Sequence, residues 1–480
     1  FRSGVGAPAL SAADSRRDLA SETTAATTSE FCRFAQVGEA IAATPAKLEK
    51  VRLLADYMRE LNEFQLPIAA TYFTGKAFAQ SDTRTLQIGW AIIYRALVAA
   101  AKMSEADFRR IASSHGDAGK TAFEALENRT SPEPFTLHES RDLFERLQKA
   151  RGPLAKTEIL KDRLARLSAR EGQYIVKILT GDLRIGLREG LVEDAIAIAF
   201  EQPIDEVKEA NMLLGDIGET TLLGSRGELR QAELSLFRPI KCMLASPEPT
   251  AEAVWQRFAN TENAERGSVL VEDKFDGIRA QLHRGTSRVE IFSRDLRRIT
   301  DQFRELIDHA AGFTDEVILD GEITAFQEGK KLTFFDLQKR LGRKGEDRDL
   351  FAAASADVPV VFVAFDLLWQ DGQSLLKTPL RRRRELLRQL SLPPQFQISE
   401  VSTVDSANEI ERAFQAARRR FNEGLMIKDP DSPYSPGRRG MFWFKLKKEL
   451  ATLDVVVVAA ELGHGKRNHV LSDLHVRGAR

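Results

Sequence analysis

Hydrophobic spacing changes character partway along this chain. Up to about residue 235 apolar side chains recur every three to four positions; from about 268 onward they alternate or cluster in short β-branched runs. One packing layer cannot satisfy both periods, so the chain must build differently constructed regions. The helical pattern is clear in LEKVRLLADYMREL (48–61), TLQIGWAIIYRALVAAA (85–101), KTEILKDRLARLSARE (156–171), GLVEDAIAIAF (190–200) and PIDEVKEANMLL (203–214), the last with Asp205 and Glu206 suited to a first turn. Strand-like runs follow at 268–273, 288–294, 316–326, 358–369, 424–429 and 441–447, with helical stretches between them such as RRRRELLRQL (381–390) and ANEIERAFQAARRRF (407–421). The proline-punctuated PIKCMLASPEP (239–249) reads as a linker, and LDVVVVAAEL (453–462) as an apolar strand ending at a Gly-His-Gly-Lys turn.

These textures predict a flexible Ser/Ala/Thr-rich arm over 1–29, an all-α region over 30–236, an α+β region over 237–450 and the start of a further element over 451–480. A length of 480 residues accommodates about three domains. Mean hydropathy of −0.29 and the lack of an apolar run near ~18 residues exclude a membrane-spanning helix. The two cysteines, Cys32 and Cys242, form no CxxC, which excludes a Cys-rich zinc module and suits a reducing compartment. Net charge is zero, so any nucleic-acid surface must be a local patch. Residues 436–448 (PGRRGMFWFKLKK) supply a candidate. A basic run ordinarily marks a solvated face, but the interleaved Phe442, Trp443 and Phe444 argue against that here.

Gly119-Lys120-Thr121 imitates the end of a phosphate-binding loop. The glycine required five positions before Gly119 is Ser114, and the preceding segment is helical, so a helix connection is expected. A more informative series begins with Glu272-Asp273-Lys274-Phe275-Asp276-Gly277-Ile278-Arg279 at a strand end. It continues through Phe292-Ser293-Arg294, Leu319-Asp320-Gly321-Glu322, Phe365-Asp366, Glu423-Gly424-Leu425-Met426-Ile427-Lys428 and Trp443-Phe444-Lys445-Leu446-Lys447.

This ordered set resembles the covalent nucleotidyltransferases, specifically the ATP-dependent DNA ligases, over about 239–462. LTGDLRIGLREGLVEDAI (179–196) is similar to that family's DNA-binding domain. Cys242 stands where the family's linker usually carries proline. The resemblance implies a helical DNA-binding domain, an adenylation domain, and an oligonucleotide-binding (OB) β-barrel begun at 451–480. Such a barrel needs about five strands, more than the residues after 462 supply. The implied substrates are ATP and nicked double-stranded DNA, with Mg2+ and no membrane, in a monomer serving replication, repair or recombination. The implied location is the cytoplasm of a bacterial or archaeal-type cell, or the nucleus of a eukaryotic one.

The resemblance also distributes roles. Lys274 becomes the AMP-carrying nucleophile. Glu272 reads the adenine edge and Phe365 stacks on the base, a contact worth about 1–3 kcal/mol. Arg294 and Glu322 hold the ribose; Arg279, Lys445 and Lys447 contact phosphates, and Arg439 the nucleotide or a phosphate. Glu423, with Glu322, binds the metal, while Asp276, Asp320 and Asp366 support the site. The chemistry favours these residue types independently. A lysine with pKa near 10.4 is neutral about once in 2,500 molecules at pH 7, a cost of roughly 4.6 kcal/mol. Neighbouring cations and partial burial reduce it, and Lys428, Lys445 and Lys447, along with a divalent metal, are the expected sources. RNA ligase, a GTP-using RNA capping enzyme and a non-catalytic DNA-binding scaffold are the alternatives.

Overall fold

A computed structural model describes residues 29–82, 84–127, 132–259, 267–327, 330–331, 337, 359–420, 422–437, 439–447, 454–463 and 470–478. The expected arm, apart from Ser29, and most of the Gly-His-Gly-Lys turn lie outside the described residues. The chain divides into two compact units: residues up to Pro45 with Leu86–Gly186, and Ala46–Thr85 with Leu187–Arg480. The helical segment is thus shared between both.

The first unit is built of helices. Phe31, Phe34, Phe135 and Tyr174 form its aromatic centre, all essentially buried. Gly38 is required there, because a Cβ would lie 2.4 Å from the Tyr174 ring. The pattern over 156–171 is interrupted: one helix spans Pro153–Leu164 and a second Ala169–Leu179, opened by a Ser168–Glu171 capping box. The other early pattern also shortens, since the helix begins only at Trp90. Gly119 lies in the first turn of the Ala118–Leu126 helix, which follows the Glu105–Ser114 helix rather than a strand. Its Cβ would meet Lys177 Cγ at 2.6 Å, so glycine serves helix packing and the expected helix connection is what forms.

In the second unit, helices Lys47–Glu60, Glu189–Ala199 and Ile204–Leu214 match the predicted periods closely. Its strands are β1 (Leu244–Glu248), β2 (Val269–Lys274), β3 (Ile278–Gly285), β4 (Arg288–Ser293), β5 (Val317–Gln327), β6 (Lys330–Lys331), β7 (Val360–Gln370), β8 (Gln373–Ser374), β9 (Phe396–Ile398), β10 (Val401–Val404), β11 (Gly424–Lys428), β12 (Arg439–Lys447), β13 (Val455–Leu462) and β14 (Leu471–Gly478). One sheet has the order β1-β12-β11-β2-β10; the other runs β4-β3-β5-β7-β8, with β6 on β5 and β9 on β7. The expected linker is partly strand. Leu244–Glu248 pairs parallel with β12 at the sheet edge, where Pro247 is tolerated.

Each sheet buries one face beneath helices. Val269, Val271, Leu425, Ile427, Phe444 and Leu446 pack toward helices Ala251–Ala259 and Ala407–Arg419. Leu282, Leu319, Ile323, Phe362 and Ala364 pack with residues of helices Arg304–Ala310 and Leu380–Gln389. The opposite faces of the two sheets line a common cleft. β13 and β14 form an antiparallel pair whose valines are largely exposed; no closed barrel is present among the described residues. Also among these, no helix is long and apolar enough to cross a membrane.

Candidate active site

The pleat of the first sheet assembles one wall of the cleft. Across β2, β11 and β12 the register aligns Lys274 with Gly424 and Lys447, Glu272 with Met426 and Lys445, and Leu270 with Lys428 and Trp443. Side chains two positions apart share a face. Glu272, Lys274, Met426, Lys428, Trp443, Lys445 and Lys447 therefore line the cleft, while the intervening Val271, Leu425, Ile427, Phe444 and Leu446 enter the core. This explains the basic-aromatic run: it is a strand with a cationic face and a buried face, not a solvated surface. Trp443 and Phe444 are both 1% exposed.

Lys274 ends β2, and its ammonium is ion-paired with Glu423 at the entrance to β11; the same carboxylate takes Lys447. A backbone bond from Glu423 N–H to Lys274 O at 3.0 Å fixes the pairing. Burial raises the Glu423 carboxyl, but the hydrogen bonds from Lys274 and Lys447 outweigh it and leave it below the ordinary carboxylate value.

Lys428 does not accompany Lys274. The two are offset by four residues along the sheet, roughly 13 Å. The Lys428 ammonium is instead buried, 4.1 Å from the Trp443 ring centre and 4.8 Å from that of Phe365, and ion-paired with Glu272. Burial pushes its pKa down. The expectation that it assists Lys274 directly is therefore corrected; Lys447, through Glu423, is the cation beside the nucleophile.

The second sheet supplies the other wall. Arg279 and Glu322 face each other across β3 and β5. Phe365 occupies a bulge in β7, since Asp320 pairs with Asp366 but Gly321 with Ala364; a bulge of this kind re-aims a side chain. The Arg279 guanidinium lies 5.4 Å from the Phe365 ring centre, donates to Asp320 at 2.8 Å and reaches the Met243 carbonyl at 2.7 Å. Tyr434 donates to the same Asp320 at 2.6 Å. Burial lifts the Glu322 carboxyl to about 7, against the opposing pull of Arg279 and Lys274. Gly277 lets the turn cross β5, because a Cβ there would stand 2.3 Å from the Ile323 carbonyl oxygen. Arg294 is exposed at the cleft rim, its N–H bonded to the Arg279 carbonyl at 3.1 Å. Asp276 is exposed in the turn, and Asp366 is buried against Arg383. Arg439 opens β12; its side chain lies outside the described residues.

Sequence reasoning missed Arg383, Arg384, Ser399 and Tyr434. Arg383 and Arg384 are hidden in an arginine run that reads as solvated helix. The available signal is spacing, because Leu380, Arg383, Arg384 and Leu387 form one helical stripe and all four are buried.

A family model described as ATP dependent DNA ligase domain matches residues 242–447, and one described as DNA ligase N terminus matches 30–197. A probable DNA ligase of Opitutus terrae is 42% identical over 92% of this chain and 52% of its own length. A probable DNA ligase of Koribacter versatilis is 43% identical over 92% of this chain and 79% of its own length. A DNA ligase of Methanocorpusculum labreanum is 31% identical over 91% and 79%. The chain thus spans about half of the first relative and about four fifths of the other two. The solved structure Pmar-Lig_PreS3 shares the fold, with a TM-score of 0.54 at 18% identity, covering 93% of this chain and 85% of that one. On the identity and coverage of these relatives, this chain belongs to the ATP-dependent DNA ligase family.

Proposed function

We propose that this protein seals nicks in duplex DNA at the expense of ATP. The observation that carries the reading is the three-row register across β2, β11 and β12, which sets Lys274 among Glu423, Lys445 and Lys447 with Glu272 and Phe365 farther along the cleft.

Lys274 gives up a proton to solvent water, leaves Glu423 as a neutral amine, and its Nζ lone pair attacks the α-phosphorus of ATP. The bond from that phosphorus to the bridging oxygen breaks, pyrophosphate departs, and AMP remains on the lysine. A 5′-phosphate oxygen at the nick then attacks the same phosphorus and Lys274 leaves. Finally the 3′-hydroxyl attacks the activated 5′-phosphate and releases AMP. Lys445 and Lys447 stabilise charge on the α-phosphate oxygens. Glu272 accepts from the adenine amine and Phe365 stacks on the ring. Arg294 and Glu322 hold the ribose; a carboxyl titrating near neutrality both accepts from and donates to hydroxyls. Arg279 and Arg439 complete the phosphate contacts.

The donor set suits Mg2+ arriving with the nucleotide. Glu423 is a half-buried carboxylate compensated by two ammonium groups, and an ion that takes one or two carboxylates plus phosphate and water oxygens fits it. Glu423 and Glu322 would hold the ion, which when bound neutralises triphosphate charge. The helical regions grip DNA through phosphates, since sealing must ignore sequence. The exposed apolar β13–β14 pair is read as the opening strands of an OB barrel. The protein acts as a monomer in the cytoplasm, in line with the bacterial and archaeal sources of its relatives.

Incubation with α-labelled ATP and denaturing electrophoresis tests the first step, and transfer to a nicked duplex tests the rest. Label on Lys274 that moves to the 5′ end of DNA is expected. Preference for GTP would favour a capping enzyme, acceptance of RNA nicks alone an RNA ligase, and no label a scaffold.

A further inference from the structure

Arg381 to Arg384 form a continuous arginine run, but only half of it meets solvent. Arg381 and Arg382 are exposed on the Leu380–Gln389 helix, whereas Arg383 and Arg384 are buried. Burying a guanidinium is costly unless its donors are placed. Arg383 is accounted for by its two-pronged bond to Asp366, at 2.7 and 2.8 Å. Arg384 makes no comparably close carboxylate bond. Its Nη1 donates to the Phe365 carbonyl at 3.0 Å and to Ser399 Oγ at 2.8 Å, and its Nη2 donates to the Ser399 carbonyl. Neither Arg384 nor Ser399 lines the nucleotide cleft. They reach it through Phe365 and Glu272.

The direction of these bonds matters. A hydroxyl has one proton and two acceptor lone pairs. Because Arg384 donates to the Ser399 oxygen, the serine proton is left for Glu272 Oε2, 2.9 Å away. Lys428 takes the other oxygen, Oε1, and the Arg384 guanidinium stands 3.9 Å from Oε2. Glu272, 5% exposed, is thereby compensated as an anion and held as a pure acceptor. An acceptor at the purine edge suits a 6-amino group, which donates, and opposes a 6-oxo group, which accepts.

We propose that Arg384 and Ser399 are positioning residues that set the preference for adenine over 6-oxopurine nucleotides, by fixing the orientation and charge of Glu272 and the backbone that carries Phe365. This rests on the reading above that Glu272 faces the base.

The test compares ATP with ITP, in equilibrium binding by calorimetry and in self-nucleotidylation, for the parent chain, Ser399→Ala, Arg384→Lys, Glu272→Gln and Arg381→Met. One hydrogen bond to a charged group is worth about 1.5–3 kcal/mol, or roughly 10- to 150-fold. Ser399→Ala is expected to lower the ATP/ITP ratio at least 10-fold, through KM and binding. The rate at saturating ATP should change less than about 3-fold, a split that general loosening would not produce. Arg384→Lys keeps the charge but loses the fork and is expected to lower the ratio as well. Arg381→Met should match the parent. If Glu272→Gln collapses the ratio while Ser399→Ala leaves it intact, the relay is overturned and the base reading stands. If Glu272→Gln also leaves it intact, the base reading itself has failed. Should Arg384→Lys not fold, Ser399→Ala decides alone, since it deletes one oxygen and leaves the guanidinium in place.

Discussion

Lys274 and Glu423 meet as an ion pair between the end of β2 and the entrance to β11, and the same carboxylate also takes Lys447. The nucleophile therefore rests as a paired ammonium and must give up both its partner and a proton to react. Lys274→Arg preserves the positive charge and the pairing with Glu423 but removes the capacity to become neutral near pH 7. Self-adenylation is expected to vanish while the thermal unfolding midpoint stays within a few degrees of the parent. Covalent AMP with the acid lability and alkali stability of a phosphoramidate on the Lys274→Arg protein would remove Lys274 from its role.

Phe365 faces the cleft from a bulge with Lys428 and Arg279 on its ring. A stacking contact of about 1–3 kcal/mol corresponds to roughly 5- to 150-fold in affinity. Phe365→Ala is expected to weaken ATP binding by that factor and leave DNA binding within about 2-fold. Calorimetry with ATP and a fluorescence assay with nicked duplex give both numbers. Unchanged ATP affinity would make Phe365 a core aromatic only.

Much of the cleft was legible because its residues sit at strand ends in a fixed order, and period-2 alternation then decides which face they share. The positions of Lys274, Glu272, Lys445 and Lys447 follow from MFWFKLK and VLVEDK once both are strands. Register is what the sequence left open. Lys428 lies only five residues beyond Glu423 in sequence. Yet the antiparallel pairing of β11 with β2 carries Lys428 to Leu270 and leaves Gly424 beside Lys274. The buried arginines were hidden for another reason. Charge dominates a composition reading, whereas the fold uses Arg383 and Arg384 as multivalent donors to Asp366, Ser399 and carbonyl oxygens. The boundary over 239–249 was obscured by its prolines, which an edge strand tolerates.

His283 gives a prediction about acid. It is fully buried on β3, accepts the Phe237 N–H on Nδ1 at 3.0 Å and has Gln281 Oε1 3.4 Å from Nε2. Burial first, and the nearby Arg288 second, push its pKa from the ordinary 6.5 down to about 3. The unfolded chain therefore binds one more proton than the native chain between about pH 3 and 6.5. Its contribution is complete above about pH 6.5 and lost as pH falls through that window, about 2 kcal/mol by pH 5. His283→Gln keeps an acceptor and cannot titrate. It is expected to cost stability at pH 7 but to lose about 2 kcal/mol less than the parent between pH 7 and pH 5, measured by urea unfolding. Parallel pH profiles would mean that His283 is not the group being protonated.

Gly277 connects the fold to the chemistry at one atom. The β2–β3 turn that presents Lys274 passes so close to β5 that a Cβ on Gly277 would lie 2.3 Å from the Ile323 carbonyl oxygen and 2.9 Å from Glu322 Cγ. The nearer obstacle is backbone in the centre of a paired strand, so the turn must move instead of the strand. A displacement near 1 Å at a reacting group costs on the order of 100-fold in rate. Gly277→Ala is expected to lower self-adenylation by about that factor. The unfolding midpoint should fall by several degrees, since overpacking costs about 1–3 kcal/mol. ATP affinity should fall less than the rate, because Glu272 and Phe365 lie away from the turn and Glu322 can shift its side chain. A Gly277→Ala protein that adenylates itself at the parent rate would show that the turn yields without moving Lys274, and that the close approach to Ile323 does not hold the nucleophile in place.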